Sequence, residues 1–388
     1  MRAFRRGGKG VSVFLAVAAL LTGAVQGLLG LCGPFTDVAA DAFCPFVLEI
    51  FYLGITTGTS PTTYDPTANV SRLQMAAFLS RTVDGVLRRG SRRAVLDQFW
   101  STQSSTALGV TTLAAADPFG VRSDGADLWV SQQAGGVVSR VRGSDGKLLE
   151  TWTGATGARG VLVAMGRVFV TGVGSPGKLY RIDPSQAAGG VTTVASNLGG
   201  NPTAIAFDGS KIFTANTSGS VSIVTPGATI PWTVTTVTTG FTFAKGMTFD
   251  GTNTWMTDQI ANRVFKLDAN GAILQTVTVG ASPEEILYDG SNLWAGLFDD
   301  NAVTVIRPST GAILATLTGN GMSGPVNLAF DGQRILVTDD LNFNVSLFKA
   351  ADLTPLGSLP AGAEPVGACS DGISFWVTLQ SPGRLARF

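Results

Sequence analysis

Seven copies of one unit run through residues 105–388, each built on a tight glycine turn between short apolar runs. That repeat predicts a mainly β chain: a seven-bladed β-propeller of four-stranded antiparallel blades, with an N-terminal strand closing the last blade, preceded by a small α-helical module. Composition agrees. Glycine supplies 49 of 388 residues and charged residues only 14%, while hydrophobic residues reach 45% at a mean hydropathy of +0.28. Such a chain carries enough apolar surface for a large core and is poor in the Glu and Lys that favour helices.

The unit reads 124-DGADLWVS-131, 208-DGSKIFTA-215, 250-DGTNTWMT-257, 289-DGSNLWAG-296, 331-DGQRILVT-338 and 371-DGISFWVT-378, with a degenerate copy at 165-MGRVFVTG-172. The turn glycines fall at 125, 166, 209, 251, 290, 332 and 372, separated by 41, 43, 42, 39, 42 and 40 residues. Trp129, Trp255, Trp294 and Trp376 hold one place in their units, and Phe169, Phe213 and Leu336 hold it in the others. An apolar position repeated in this way is packing between blades.

Within a unit, an apolar strand such as 202-PTAIAF-207 leads into the Asp-Gly turn. The Trp strand follows, then a third strand such as 263-RVFKLD-268, an Asn270-Gly271 turn and a fourth strand, 272-AILQTVTV-279. Asp-Gly and Asn-Gly between β-branched runs signal hairpins, because glycine takes the positive φ that such turns require. The last unit stops at 384-RLARF-388 without a fourth strand, and one surplus strand, 107-ALGVTTL-113, precedes the first unit. Pairing the two would close the ring and remove two exposed sheet edges.

The N-terminal part reads differently. Arg2, Arg5, Arg6 and Lys9 precede an apolar run from Val11 to about Gly30, the pattern of an export signal over residues 1–30; the run is nearly long enough to span a bilayer, so an uncleaved anchor is the alternative. Cleavage would leave no later span apolar enough for a membrane, and a mature net charge of −4 from 23 basic and 27 acidic residues. Cys32 and Cys44 flank one short segment, and an oxidising compartment would permit a disulfide between them; two small core residues are the other reading. Residues 34–88 form the helical module. Phe43, Val47, Ile50 and Phe51 recur with helical spacing in 41–54, and Ser71 with Gln74 is a capping box that opens a second helix carrying Met75, Phe78, Leu79 and Val83. The arginines of 88-RRGSRR-93 begin a basic linker placed at 89–104.

The order FTDV, LGITTG, YDPTANVSRLQMAAFLSR resembles an S-layer homology (SLH) repeat over about 55 residues, with Asp37, Gly54, Gly58, Pro66 and Arg72 on the family pattern. The resemblance implies a two-helix unit that holds exported bacterial proteins at the cell envelope by binding wall polysaccharide, with Arg72 where the family places its sugar-contacting arginine. A planar guanidinium can grip an acidic sugar substituent in two places. The second-helix signature reads Ser-Arg-Leu-Gln where the family has Thr-Arg-Ala-Glu, and a single copy stands where three are common.

In the propeller, the loops after second strands and before first strands share the rim opposite the Asp-Gly turns. That rim gathers ligand-binding candidates Arg159, Asn201, Asn216, Lys245, Glu284, Glu285, Asn327 and Glu364. Glu285 and Asn327 hold a position otherwise given to Gly120, Val161, Ala204, Gly246 and Gly367. Asp258, Asp299, Asp300, Asp339 and Asp340 are metal candidates, since convergent carboxylates suit Ca²⁺ or Mg²⁺; the alternative is that Asp merely tolerates turn geometry.

The chain has no histidine, which removes histidine bases, Ser–His–Asp and Cys–His sites and histidine-ligated zinc. Balanced charge without basic patches argues against nucleic acid. The units resemble exported propellers of the streptogramin-lyase-like, NHL and YVTN-type groups. The lyase resemblance implies a histidine base and a divalent metal; a glutamate such as Glu285 could stand in as base if burial raised its pKa. The expectation is therefore an exported, envelope-associated, monomeric propeller that binds a polysaccharide or envelope protein without catalysis. A metal-dependent lyase or hydrolase and a structural surface-layer component are the alternatives.

Overall fold

The computed structural model describes residues 32, 34–39, 43–52, 55–90 and 109–388, and the chain divides into two compact units between Phe99 and Trp100. The predicted export signal and the linker beyond Gly90 lie outside the described residues.

The first unit contains helix α1 (Cys44–Tyr52) and helix α2 (Arg72–Gly90). The capping box forms: the Ser71 amide donates to Gln74 Oε1 at 2.9 Å, and the Gln74 amide donates to Ser71 Oγ at 3.2 Å. That exchange satisfies two donors that a helix start leaves orphaned. Cys32 and Cys44 are bonded, with their Cα atoms 5.5 Å apart. Phe35 is fully buried, edge-on to Phe51 at 5.0 Å and tilted against Tyr64 at 5.4 Å. The apolar stripe expected on α2 is largely uncovered, since Met75 and Leu79 are 47% and 60% exposed; the covered positions are Ala77 and Phe78.

The second unit is the seven-bladed propeller. Each of its seven sheets has four antiparallel strands. Innermost strands are Pro118–Ser123, Ala158–Ala164, Pro202–Phe207, Ala244–Phe249, Pro283–Tyr288, Pro325–Phe330 and Pro365–Ser370, for blades 1 to 7 in turn. Each packs beside its neighbours, and blade 1 meets blade 7, so the ring is closed. Closure is made by the N-terminal strand Gly109–Thr112, which pairs with Arg384–Arg387 in register Gly109 to Arg387 and Thr112 to Arg384. Thr111 Oγ1 also donates to Gly146 O of blade 1 at 2.6 Å.

The core lies between blades, as a sheet with two apolar faces requires. Trp129 of blade 1 packs with Val161 and Val168 of blade 2, and Trp255 of blade 4 with Ile286 and Leu293 of blade 5. The four repeat tryptophans are at most 1% exposed. Their turn glycines take positive φ, 91° at Gly251, a region that side-chain-bearing residues avoid.

One irregularity shapes the channel. In every innermost strand the ladder slips between the first and the third or fourth residue; in blade 5, Pro283 pairs with Leu297 and Ile286 with Ala295. An extra residue in one strand is a β-bulge, and it lets consecutive side chains escape strict alternation. A hydroxyl on the second strand fills most bulges: Gly120 N–H donates to Ser131 Oγ, Gly160 to Thr171, Gly246 to Thr257, Asn327 to Thr338 and Gly367 to Thr378, at 2.7–3.0 Å. This bonding corrects the repeat alignment, because Gly160, not Val161, is equivalent to Glu285 and Asn327. The position is small elsewhere because the next blade's backbone crosses it; a Cβ on Gly246 would sit 2.5 Å from Glu284 O.

Candidate functional site

The central channel widens into a cavity at each end. At the end away from the Asp-Gly turns, a cavity of about 220 Å³ is lined by Arg159, Lys245, Glu284, Asp340 and Glu364 among others. Five of the expected rim residues are thus brought together. Lys245 Nζ lies 2.9 Å from Glu284 Oε2, and Gln259 donates to Glu284 Oε1. Burial pushes the Glu284 carboxyl above the usual carboxylate range, against the pull of Lys245. Arg159 stacks over Phe119 with 4.1 Å from Cζ to the ring centroid and donates from Nε to Gln133 Oε1 at 3.0 Å. Its burial lowers its pKa, while Glu284 opposes the shift. Burial raises Asp340, and burial together with Asp340 and Asp117 raises Glu364. The mouth therefore presents two cations and three carboxylates to an incoming polar partner.

The other rim candidates have local duties. Asn216 is fully buried, bonded to Ser220, Ser222 and Thr214. Asn201 takes φ 54° in a turn, its carbonyl accepting the Thr217 amide. Asn327 Oδ1 accepts its neighbour Leu328 N–H at 2.9 Å. Glu285, expected on this same rim, lines the cavity at the opposite end, since the bulge directs adjacent Glu284 and Glu285 to different ends of the channel.

Four of the five metal candidates are engaged separately, and the fifth, Asp340, lines the mouth cavity. Asp258 is fully buried and accepts the Thr242, Phe243 and Ala261 amides, which ties two loops together. Asp299 accepts the Ser282 hydroxyl, and Asp300 accepts the Ala281 amide at 2.7 Å. Asp339, the blade 6 counterpart of Asp258, is also fully buried; Ser346 Oγ donates to its Oδ2 at 2.5 Å and the Ser323 amide also bonds the carboxyl. Ser346 Oγ also lies 3.1 Å from Asn320 O. The Ser346 hydroxyl thus has two acceptors within reach, Asp339 Oδ2 and Asn320 O, and its bond to Asp339 favours the ionised carboxylate. Burial nonetheless pushes the Asp339 carboxyl up to about 7. Among the described residues no three carboxylates or thiols are grouped so as to hold a metal ion.

At the Asp-Gly end, a cavity of about 440 Å³ is lined by residues from all seven innermost strands. Its charged groups are Glu285 and Arg122. Burial raises Glu285 to about 7, with Arg122 holding it down. Cys369 also lines the wall, its thiol pushed by burial up to about 12 and so protonated.

The helical unit has its own groove, a cavity of about 360 Å³ lined by Thr57, Tyr64, Asp65, Asn69, Gln74 and Arg81 among others. Asp37 fixes two lining residues from outside the groove: its carboxylate accepts the Tyr64 amide at 2.9 Å and the Asp65 amide at 2.7 Å, which holds it below the usual carboxylate range. Gly58 has φ 76°, and a Cβ there would lie 2.6 Å from Thr63 O and 2.8 Å from the Phe35 ring. Arg72 is exposed at the first residue of α2 and outside the groove lining; the arginine that lines it is Arg81, whose Nη1 donates to Ile55 O at 3.0 Å. Arg81 follows Gln74 by seven residues and Phe78 by three, so helical periodicity groups the three on one face.

The S-layer homology domain family matches this unit over residues 34–76. Residues 34–76 are an S-layer homology domain. Such a domain implies association with the cell surface, and SLH domains generally bind cell-envelope polymers. No curated protein matches the chain. Among solved structures, a streptogramin B lyase aligns at 18% identity and a TM-score of 0.61, covering 72% of this chain and 96% of the lyase. The WD40 β-propeller domain of Doa1 aligns at 12% identity and 0.60, covering 73% and 96%. The computationally designed Ika8 protein aligns at 11% and 0.56, covering 74% and 99%. At such identities an enzyme, a WD40 domain and a designed protein share the fold alone. No helix among the described residues is long and apolar enough to cross a membrane.

Proposed function

We propose that this chain is an exported bacterial protein held at the cell envelope through its SLH domain, and that its propeller binds a polysaccharide or protein partner without catalysing a reaction. The pairing of an SLH domain with a propeller in one chain carries this reading. Envelope polymers are the natural ligand for the groove beside Asp37 and Arg81, where a guanidinium and several hydroxyls meet. On the propeller, the mouth formed by Arg159, Lys245, Glu284, Asp340 and Glu364 mixes both signs of charge with the Phe119 and Phe298 rings. Such a surface suits recognition of a polar chain by hydrogen bonds and stacking. The histidine-free composition supports binding over lyase chemistry, which would need another base.

The test is fractionation of producing cells followed by binding of the purified full chain to glycans and proteins extracted from the envelope. Recovery in the wall fraction with a saturable partner, and no turnover of that partner with added Ca²⁺ or Mg²⁺, is the expected result. Metal-dependent cleavage of the partner that is lost in Glu284→Gln would replace binding by catalysis.

A further inference from the structure

The cavity at the Asp-Gly end is separate from the mouth just described. It is lined by Ser123, Phe207, Phe249, Phe330 and Ser370, the residues immediately before Asp-Gly turns, so it opens on that face. Leu162, Ile205, Met247, Leu287 and Leu328 supply an apolar lining beside a polar surface of comparable extent. A volume of about 440 Å³ is that of a small-molecule site.

Two charged groups break the apolar lining, and neither is spent on the other. Arg122 Nη1 donates to Val121 O at 2.9 Å and to Ala368 O at 3.2 Å, which uses one nitrogen of three. Glu285 receives the Ile286 amide of its own strand and a long contact, 3.4 Å from the Met247 amide to Oε1. The two come from blades 1 and 5 and feel each other's charge across the cavity without forming an ion pair. Half-buried charges with vacant hydrogen-bonding positions are costly unless something polar serves them. Apolar walls reward a ligand that also brings an apolar body.

We propose that this cavity binds a small zwitterion with an aliphatic body, an amino acid or a short peptide of such residues, with its carboxylate on Arg122 and its ammonium on Glu285. The opposite charges fix the ligand's ammonium and carboxylate, and the apolar part of the wall receives its side chains. Glu285 occupies a strand position where Gly120, Gly160, Ala204, Gly246 and Gly367 leave no side chain beyond a methyl, so the carboxyl is particular to blade 5. The raised Glu285 carboxyl adds that ammonium binding strengthens as the group ionises. This inference does not depend on envelope anchoring.

Calorimetric titration of the purified full chain tests it with leucine, leucyl-leucine, and their N-acetylated and C-terminally amidated forms. One of the zwitterions is expected to bind one to one, with each singly charged form about tenfold weaker or worse. Binding of leucine alone identifies an amino-acid site, and binding of leucyl-leucine alone a peptide site. Glu285→Gln, checked for folding by its melting profile, is expected to weaken binding by about tenfold. Failure of both zwitterions to bind, equal affinity for the singly charged forms, or unchanged affinity in the folded variant would overturn the proposal. The analogue series reads the wild-type chain, so the outcome stands even where the variant does not fold.

Discussion

Asp250 Oδ2 accepts the indole N–H of Trp255 at 2.7 Å, while its other oxygen accepts the Thr252 and Asn253 amides at 2.8 and 2.7 Å. The same relationship joins Asp124 to Trp129, Asp289 to Trp294 and Asp371 to Trp376. One carboxylate thus closes the turn and satisfies the only polar atom of the buried ring. Where Leu336 replaces the tryptophan, Asp331 pairs with Arg334 at 2.9 Å instead.

Removing that carboxylate leaves a buried donor unpaired. Asp250→Ala is expected to cost about 2–3 kcal/mol, and Asp250→Asn less, because an amide oxygen still accepts. Urea unfolding with an unchanged slope would measure it. A loss under about 0.5 kcal/mol would show that the pair contributes nothing beyond packing.

Deleting the chain through Thr112 removes the strand that pairs with Arg384–Arg387. The last blade would keep three strands and expose an unpaired edge. The expected outcome is a lower melting temperature and concentration-dependent association, read by scanning calorimetry and light scattering. A monomeric truncation with unchanged melting would contradict closure by this strand.

Much of this architecture was legible from the repeat. The Asp-Gly turns, the tryptophan position and the missing fourth strand specify blade number and closure, because each is fixed by chain geometry that sequence period reports. The Ser71–Gln74 box likewise reports a local hydrogen-bond exchange. What period could not report is the bulge, which recurs in all seven innermost strands, including those of blades 3 and 5 where no second-strand hydroxyl fills it. It sends Glu284 and Glu285 to opposite ends of the channel and aligns Gly160 rather than Val161 with them. Asp258 and Asp339 end strands as expected of rim residues, but they turn inward on loop amides and Ser346. Arg81 follows Phe78 and Gln74 at helical spacing and lines the groove, whereas Arg72 matches the family position but lies outside the lining.

Asp339 makes a pH prediction. Its folded pKa, about 7, stands above the unfolded 3.8, so its neutral form is the one the fold favours. The stability it contributes is complete below about pH 4 and is lost as pH rises through 7. Asp339→Asn stays neutral at every pH and keeps an oxygen for the Ser346 hydroxyl. Chemical unfolding at pH 5 and pH 8 should find the variant favoured at the higher pH by a few kcal/mol more than at the lower, an order-of-magnitude figure. Parallel pH profiles for the two proteins would contradict a buried neutral acid.

Lys245→Ala would strand Glu284, whose side chain is 6% exposed. The expected cost is about 2–4 kcal/mol at pH 8, shrinking as pH falls and Glu284 becomes neutral. Double substitution with Glu284→Gln should restore most of it. Additive losses would mean that the two residues act independently.

The claim that the SLH domain anchors this chain to the envelope is tested most directly by co-sedimentation of the purified full chain with isolated cell-wall sacculi. The prediction is saturable pelleting of the wild type that Asp37→Ala and Arg81→Ala each weaken while the propeller's unfolding transition is unchanged. Wild-type protein that stays in the supernatant, or both variants pelleting as the wild type does, would contradict it.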